Sequence, residues 1–234
     1  MIKKKTIKNL VYSKSNIPKL AGYDRIKDGF KKINLKGVRK ILDLGCGAGQ
    51  ALFALKKLNY KGLYYGIDND LDMINMSNQF YKKNNYKNFD FRKTEIQKFN
   101  SKHKFDLILI WGVISFFDNY KQFIDRMDHH LSKNGTISLF SGFSESDYNV
   151  YVKYKIKDEK KQPGLNMHSL NEIESYFKKK GYKTSKQKFL PSINLKKKKN
   201  PLSSFILYEK DGNKVLVNGL NIVRKFYFVK AKKL

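Results

Sequence analysis

The segment Ile41-Leu42-Asp43-Leu44-Gly45-Cys46-Gly47-Ala48-Gly49-Gln50 runs from an apolar strand-like stretch through an acid and three alternating glycines into a helical pattern. Glycines let the backbone turn sharply, and they let a ligand lie against main chain with no Cβ between them. A helix starting there adds oriented N–H groups. Asp68 follows Asp43 by 25 residues, at the end of the next strand-like run. A carboxylate at such a strand end can accept hydrogen bonds from both hydroxyls of a ribose. Its other reading is an N-cap for the helical segment behind it, a role Asp70 is equally placed to fill. A dinucleotide-binding G-x-G-x-x-G read from Gly45 needs a small residue where Gln50 stands, so the spacing is of a different kind.

Candidate general bases are the four histidines. His129 and His130 end a helical stripe and read as surface or dipole-stabilised residues. His103 sits in a polar turn. His168 stands at the entry to a helix behind a long polar stretch, as a base or as a loop and capping residue. No Cys/His cluster has the spacing of a zinc site, so no metal is expected.

The glycine segment resembles the cofactor-binding motif of class I S-adenosylmethionine-dependent methyltransferases. That resemblance implies S-adenosylmethionine as cofactor, with backbone contacts along Asp43, Gly45, Cys46, Gly47 and Gly49. It also implies that Asp68, with Asn69 beside it, takes the ribose. Phe91-Arg92-Lys93-Thr94-Glu95-Ile96 resembles the family's strand–acid–apolar pattern at the adenine. Glu95 stands there in place of the more usual Asp, which leaves the alignment open by a residue. Trp111 falls where the family makes backbone contacts to the methionine part, and it also reads as core. Ser132–Thr136 resembles the family's turn into the fifth strand. The resemblance covers about residues 36–143.

The elements that must position these residues alternate. Strands are expected at Val38–Asp43, Leu63–Asp68, Phe89–Lys93, Phe105–Ile110 and Thr136–Ser141, and helices at Gln50–Leu58, Leu71–Lys83 and Phe116–Leu131. Ser132–Gly135 reads as a turn. This order predicts an α/β Rossmann-like, mostly parallel sheet with helices on both faces. Behind a polar stretch, Ser169-Leu170-Asn171-Glu172 is a capping box that opens a helix, and Gly181 is its stop. Lys183–Leu190 and Val223–Lys230 read as strands. Ser203–Lys210 and Asn213–Val217 flank Asp211-Gly212, a β-hairpin signal and the basis for a C-terminal hairpin or lid. We read residues 1–234 as one domain, with an arm at 1–20, a cofactor-binding core at 21–143, a variable substrate loop at 144–168 and a C-terminal helix and strands at 169–234.

The net charge is +29, and hydrophobic residues make up 41% of the chain, enough for a core. The charge rests on 44 Lys against 5 Arg, beside 21 Asn and 5 Ala. Arginine is the residue suited to bidentate phosphate and base contacts, and it is scarce. Coding bias therefore explains the excess more simply than selected nucleic-acid binding. Apolar runs are too short for a membrane span or a signal peptide. Cys46 is the sole cysteine, so no intrachain disulfide can form, and a cytoplasmic setting is the expectation.

Absences narrow the methyl acceptor. Where amino-methylating nucleic-acid enzymes carry Asn/Asp-Pro-Pro-aromatic, this chain reads Ile110-Trp111-Gly112-Val113. There is no Pro-Cys pair for attack on a cytosine ring. Two classes of partner remain: a small-molecule or glycan-like acceptor under a lid of residues 144–168 and the hairpin, or RNA on a lysine-rich surface. That surface would include Lys153, Lys155, Lys157, Lys160, Lys161 and Lys196–Lys199. A cofactor-binding protein without catalysis is a third class.

Overall fold

The computed structural model describes residues 23–154, 165–190, 195–197 and 204–234. Its elements are α1 (Tyr23–Lys31), β1 (Lys40–Leu44), α2 (Gln50–Lys57), β2 (Leu63–Asp68), α3 (Leu71–Lys83), β3 (Phe89–Lys93), β4 (Phe105–Trp111), α4 (Tyr120–Asp128), β5 (Leu131–Phe143), α5 (Leu170–Lys179), β6 (Tyr182–Phe189), β7 (Ser204–Tyr208), β8 (Lys214–Asn218) and β9 (Lys225–Lys233). The strand order is β3-β2-β1-β4-β5-β9-β6, with β7 and β8 as a separate two-stranded sheet. This is the expected Rossmann-like, mostly parallel architecture with an added hairpin. The expected arm at 1–20 lies outside the described residues, as do Lys155, Lys157, Lys160, Lys161, Lys198 and Lys199.

The described chain divides into two units. One holds the described residues up to Ile110 together with Met127–Thr136. In it β1 pairs in parallel with β2 and β4, and β2 in parallel with β3. Ile41, Leu42, Leu44, Leu107, Ile108 and Leu109 are fully buried, the mark of strands covered on both faces. Asp106 fixes the entry to β1, because its carboxylate accepts the backbone N–H groups of Arg39 and Lys40. Strand β1 begins two residues later than the apolar run predicts. Helix α3 starts where Asp70 caps it, accepting from the N–H groups of Asp72 and Met73.

The second unit holds Trp111–Arg126 and the described residues from Ile137 onward. Its β6 and β9 are antiparallel, and α5 packs on β6. The capping box works as expected: Ser169 Oγ accepts from Glu172 N. Gly181, at φ 81°, ends the turn behind α5. The Asp211-Gly212 hairpin also forms, with Gly212 at φ 81°.

Three expectations change. The stripe Phe116–Leu131 is not one helix. Ile114–Phe116 form a single 3-10 turn, α4 covers only Tyr120–Asp128, and Leu131 already belongs to β5. A helical period is short enough to run unnoticed through a break. Ser132–Gly135, expected as a turn, lie within β5, where Asn134 takes the left-handed backbone (φ 62°) that asparagine tolerates. His130, expected at the surface, is buried with its ring edge-on to Phe99.

Candidate functional site

In the first unit the strand order reverses direction at β1, between β2 and β4. Ligands of open α/β sheets bind beyond the carboxyl ends of the strands at such a point. The loop Gly45–Gly49 leaves β1 there, and its shape is fixed from two sides. The N–H groups of Gly45 and Cys46 both donate to the Ile67 carbonyl at the end of β2, at 2.8 and 3.0 Å. From α3, Tyr81 Oη donates to the Gly49 carbonyl at 2.5 Å, and Ser77 Oγ shares its hydrogen between the Met73 carbonyl at 2.9 Å and the Gly47 carbonyl at 3.2 Å. Gly45, Gly47 and Gly49 all take positive φ (72°, 53° and 78°).

The three glycines answer to different demands. A Cβ on Gly49 would lie 2.6 Å from the Phe91 ring and 2.9 Å from that of Tyr81, so packing alone requires glycine there. A Cβ on Gly47 meets nothing within 4 Å. Gly47 thus presents bare backbone to open space, which is what a ligand lying on main chain requires.

Asp68 stands at the end of β2 with both carboxylate oxygens engaged. Oδ2 accepts from Gly47 N and Oδ1 from Asp70 N, each at 2.9 Å. It therefore ties the glycine loop to the second strand. It does not cap α3, because Asp70 does. Each oxygen keeps a further lone pair. Asn69 beside it is exposed. Thr94 N donates to the Asp68 carbonyl at 2.8 Å, which draws the segment behind β3 to the same strand end. In that segment Ile96 is buried, whereas Glu95 is exposed and pairs with Lys98 at 3.1 Å.

Asp43 points into the core. Its carboxyl is buried against the Tyr64 hydroxyl, which donates to Oδ2. Burial pushes its pKa up to about 7, further raised by the Asp68 carboxylate and opposed by the Tyr64 bond and Arg25. The folded state thus holds a proton that the unfolded chain releases in the ordinary carboxylate range. Stability should fall as pH rises from about 4 to about 7 and stay level above, since the native state binds the extra proton across that window. Asp43→Asn keeps the shape and cannot ionise. Melts at about pH 5 and about pH 8 should show the variant losing less stability than wild type between them; an equal loss in both proteins contradicts this account. Cys46 is buried too, and burial pushes its thiol up, which makes it a poor nucleophile.

Gln50, the first residue of α2, is read in the sequence as a helix start and as the residue that breaks the dinucleotide spacing, with no site role. Its buried Nε2 has no hydrogen-bond partner among the described residues. No sequence signal marks this, because an orphaned donor is a property of packing.

The second unit holds the remaining candidates. Trp111 is buried; its indole N–H donates to Ser138 Oγ at 3.0 Å and its ring meets Phe228 edge-on. Its side chain is core. His168 is buried, with Nε2 2.9 Å from the Phe117 carbonyl. That contact places the ring hydrogen on Nε2 and leaves Nδ1 bare. Burial lowers its pKa, against the pull of the Phe117 and Ile114 carbonyls and the charges of Asp118 and Glu172, so the ring favours the neutral form. Of the lysines put forward for RNA, Lys153 pairs with Asp118, and Lys196 and Lys197 are exposed. Among the described residues no helix is long and apolar enough to cross a membrane.

The family model of a methyltransferase domain matches residues 35–200. A malonyl-acyl-carrier-protein O-methyltransferase of Bacillus anthracis is 27% identical over 134 residues, 57% of this chain and 48% of the relative. The chain thus spans about half the length of the curated relatives it matches. The fold is that of an S-adenosylmethionine-dependent methyltransferase from Clostridium acetobutylicum (TM-score 0.60, 14% identity, 90% of this chain and 92% of the other). It is also that of DhpI, solved with S-adenosylhomocysteine (TM-score 0.62, 11% identity, 97% and 92%). With the matched family model, the glycine loop and Asp68 at the reversal of the sheet, this chain belongs to the class I S-adenosylmethionine-dependent methyltransferases.

Proposed function

We propose that this chain transfers the methyl group of S-adenosylmethionine to a hydroxyl or amine of a small or carbohydrate-like acceptor. The observation that carries it is the loop behind β1, where Gly47 offers open backbone directly beside the Asp68 carboxylate. The residues present suit the cofactor. Asp68 keeps lone pairs for the ribose hydroxyls, and Asn69 is exposed beside it. The 94–96 segment, with Glu95 and the backbone of Ile96, is assigned to the adenine. Asp43, Gly45, Cys46, Gly47 and Gly49 shape the loop, Trp111 contributes backbone, and the unmet donor of Gln50 suits a polar group.

Bound S-adenosylmethionine supplies a methyl group already activated on a sulfonium, so the protein's part is to bind, orient and exclude water. A hydroxyl acceptor must also lose a proton, and His168 is assigned as its base. Its Nε2–H is committed to the Phe117 carbonyl, and its neutral Nδ1 is the atom that takes the proton. In this reading the chain works as one domain, and the acceptor is held by the described residues behind β5, His168 among them.

Calorimetry is expected to show binding of S-adenosylmethionine and S-adenosylhomocysteine, with NAD far weaker. A ligand at about a hundred times its Kd adds about 2.7 kcal/mol to the native state, visible as a raised Tm. No binding of either at about millimolar concentration overturns the assignment. Radiolabelled cofactor with fractionated extract then tests the acceptor. Label in small molecules or glycans supports the proposal; label in RNA, or in an acyl-carrier-protein conjugate, replaces it.

A further inference from the structure

Asn166 attracts no attention as a sequence, yet it is one of the most deeply buried polar residues of the second unit, at 1% exposure, as is His168. Residues 166 and 168 lie two apart on an extended segment whose middle residue, Met167, bridges to Val150. Residues so spaced share a face. Both side chains reach the same oxygen: the Phe117 carbonyl accepts from Asn166 Nδ2 at 3.2 Å and from His168 Nε2 at 2.9 Å. Asn166 Nδ2 also donates to Asp118 Oδ1 at 2.7 Å. These contacts settle the amide orientation, because both of its partners are acceptors. The Phe117 carbonyl can only accept, which favours the tautomer of His168 with its hydrogen on Nε2.

What is left over is two buried atoms without a partner among the described residues, Asn166 Oδ1 and His168 Nδ1. With the donors committed elsewhere, both atoms offer only a lone pair. A native structure rarely strands two acceptors this way without something to meet them. The surroundings are aromatic. The Tyr120 ring lies 5.0 Å from that of His168 and the Tyr151 ring 6.1 Å from it. Tyr151 is itself 52% exposed, so the His168 ring lies one ring from the surface.

We propose that Asn166 Oδ1 and His168 Nδ1 form a subsite for a hydrogen-bond donor, the hydroxyl or amine of the methyl acceptor, and that it rejects carboxylates. The proposal rests on the methyl-transfer reading above for the identity of the ligand. An ionised carboxylate is acceptor-only and would set its lone pairs against two others. A hydroxyl or amine brings a hydrogen to meet them, and His168 then holds the departing proton on Nδ1. Asn166 thereby selects the acceptor, and the Phe117 carbonyl fixes the geometry of both side chains.

Two measurements test this. In long-range proton–nitrogen spectra of histidine-labelled protein, with His168 assigned from His168→Gln, Nε2 should carry the hydrogen and Nδ1 should be bare. Glycerol and ethanolamine should move the Nδ1 resonance, and acetate and malonate should not. In Asn166→Ser, checked for folding by melting, about tenfold more glycerol should be needed, the loss of one hydrogen bond's worth of affinity. In the second measurement, label transferred from S-adenosylmethionine should survive alkali, as ethers and N-methyl groups do. Release as methanol would mark a carboxylate ester and overturn the proposal. It falls equally if Nδ1 carries the hydrogen, if carboxylates move its resonance, or if no probe does. Response of Nδ1 to glycerol with no label transferred in any fraction would support the subsite and count against the methyl-transfer reading instead.

Discussion

Gly47→Val is expected to abolish binding of S-adenosylmethionine while the protein stays folded. Gly47 lies at φ 53°, and a Cβ built on it meets no protein atom within 4 Å. The substitution therefore displaces no packed side chain. It costs the strain of a left-handed backbone, about 1–2 kcal/mol and somewhat more for a β-branched residue. A domain of this size tolerates such a loss, since native stabilities run to about 5–15 kcal/mol. The side chain instead enters the open space that we assign to the cofactor. Gly47→Ala carries most of the backbone strain with little of the bulk, so it separates the two effects: near-normal binding in Ala beside none in Val puts the loss on ligand space. Circular dichroism melts and calorimetry on both variants read it out. A folded Val variant that binds like wild type would show that the ligand does not lie on this loop. Gly49 makes the contrast. There a Cβ meets the Phe91 and Tyr81 rings at under 3 Å, so Gly49→Ala should lower Tm whether or not cofactor is present.

These two glycines show what was legible in the sequence and what was not. Both belong to one motif and look alike as letters. Only the packing of β3 and α3 separates the one that serves the core from the one that faces open space. Local signals were read well where the local chain decides. Leu63–Asp68, Leu71–Lys83 and Phe89–Lys93 form with the bounds that their apolar pattern and the Asp70 cap imply. The Ser169 capping box and the Asp211-Gly212 hairpin also form where backbone chemistry demands them. The stripe from Phe117 to Leu131 failed because a 3.6-residue period does not report where a helix breaks. His130 failed because a helix-end histidine looks the same exposed as when buried against Phe99. The site divides likewise. Asp68 was legible because its strand end is a matter of spacing. Gln50, Asn166 and the turning of Asp43 toward Tyr64 were not, because each depends on which partner the fold brings near.

Asp68→Ala should weaken cofactor binding about tenfold to a hundredfold or more, the loss of hydrogen bonds to a charged group at about 1.5–3 kcal/mol. The carboxylate has a second duty here, since it accepts the N–H groups of Gly47 and Asp70. The alanine variant should therefore also lose about 1 kcal/mol or more of stability in the free protein. Asp68→Asn should fall between wild type and Ala in affinity, because the amide still presents one oxygen but loses the charge. Were Asp68 a helix cap, Asn would serve almost as well as Asp; Asp70 fills that place, accepting from Asp72 N and Met73 N. Affinity lost through a slack loop must still be told from affinity lost at the ribose, and a 2′-deoxy analogue of the cofactor does so. A slack loop weakens cofactor and analogue alike, so the penalty for removing the hydroxyl stays the same in wild type and Asp68→Ala. A direct bond from the carboxylate to that hydroxyl makes the penalty large in wild type and nearly absent in the variant, as for any pair whose coupling is measured by a double-mutant cycle. Equal penalties in the two proteins would remove the ribose from Asp68 and leave it only the task of tying the glycine loop to β2.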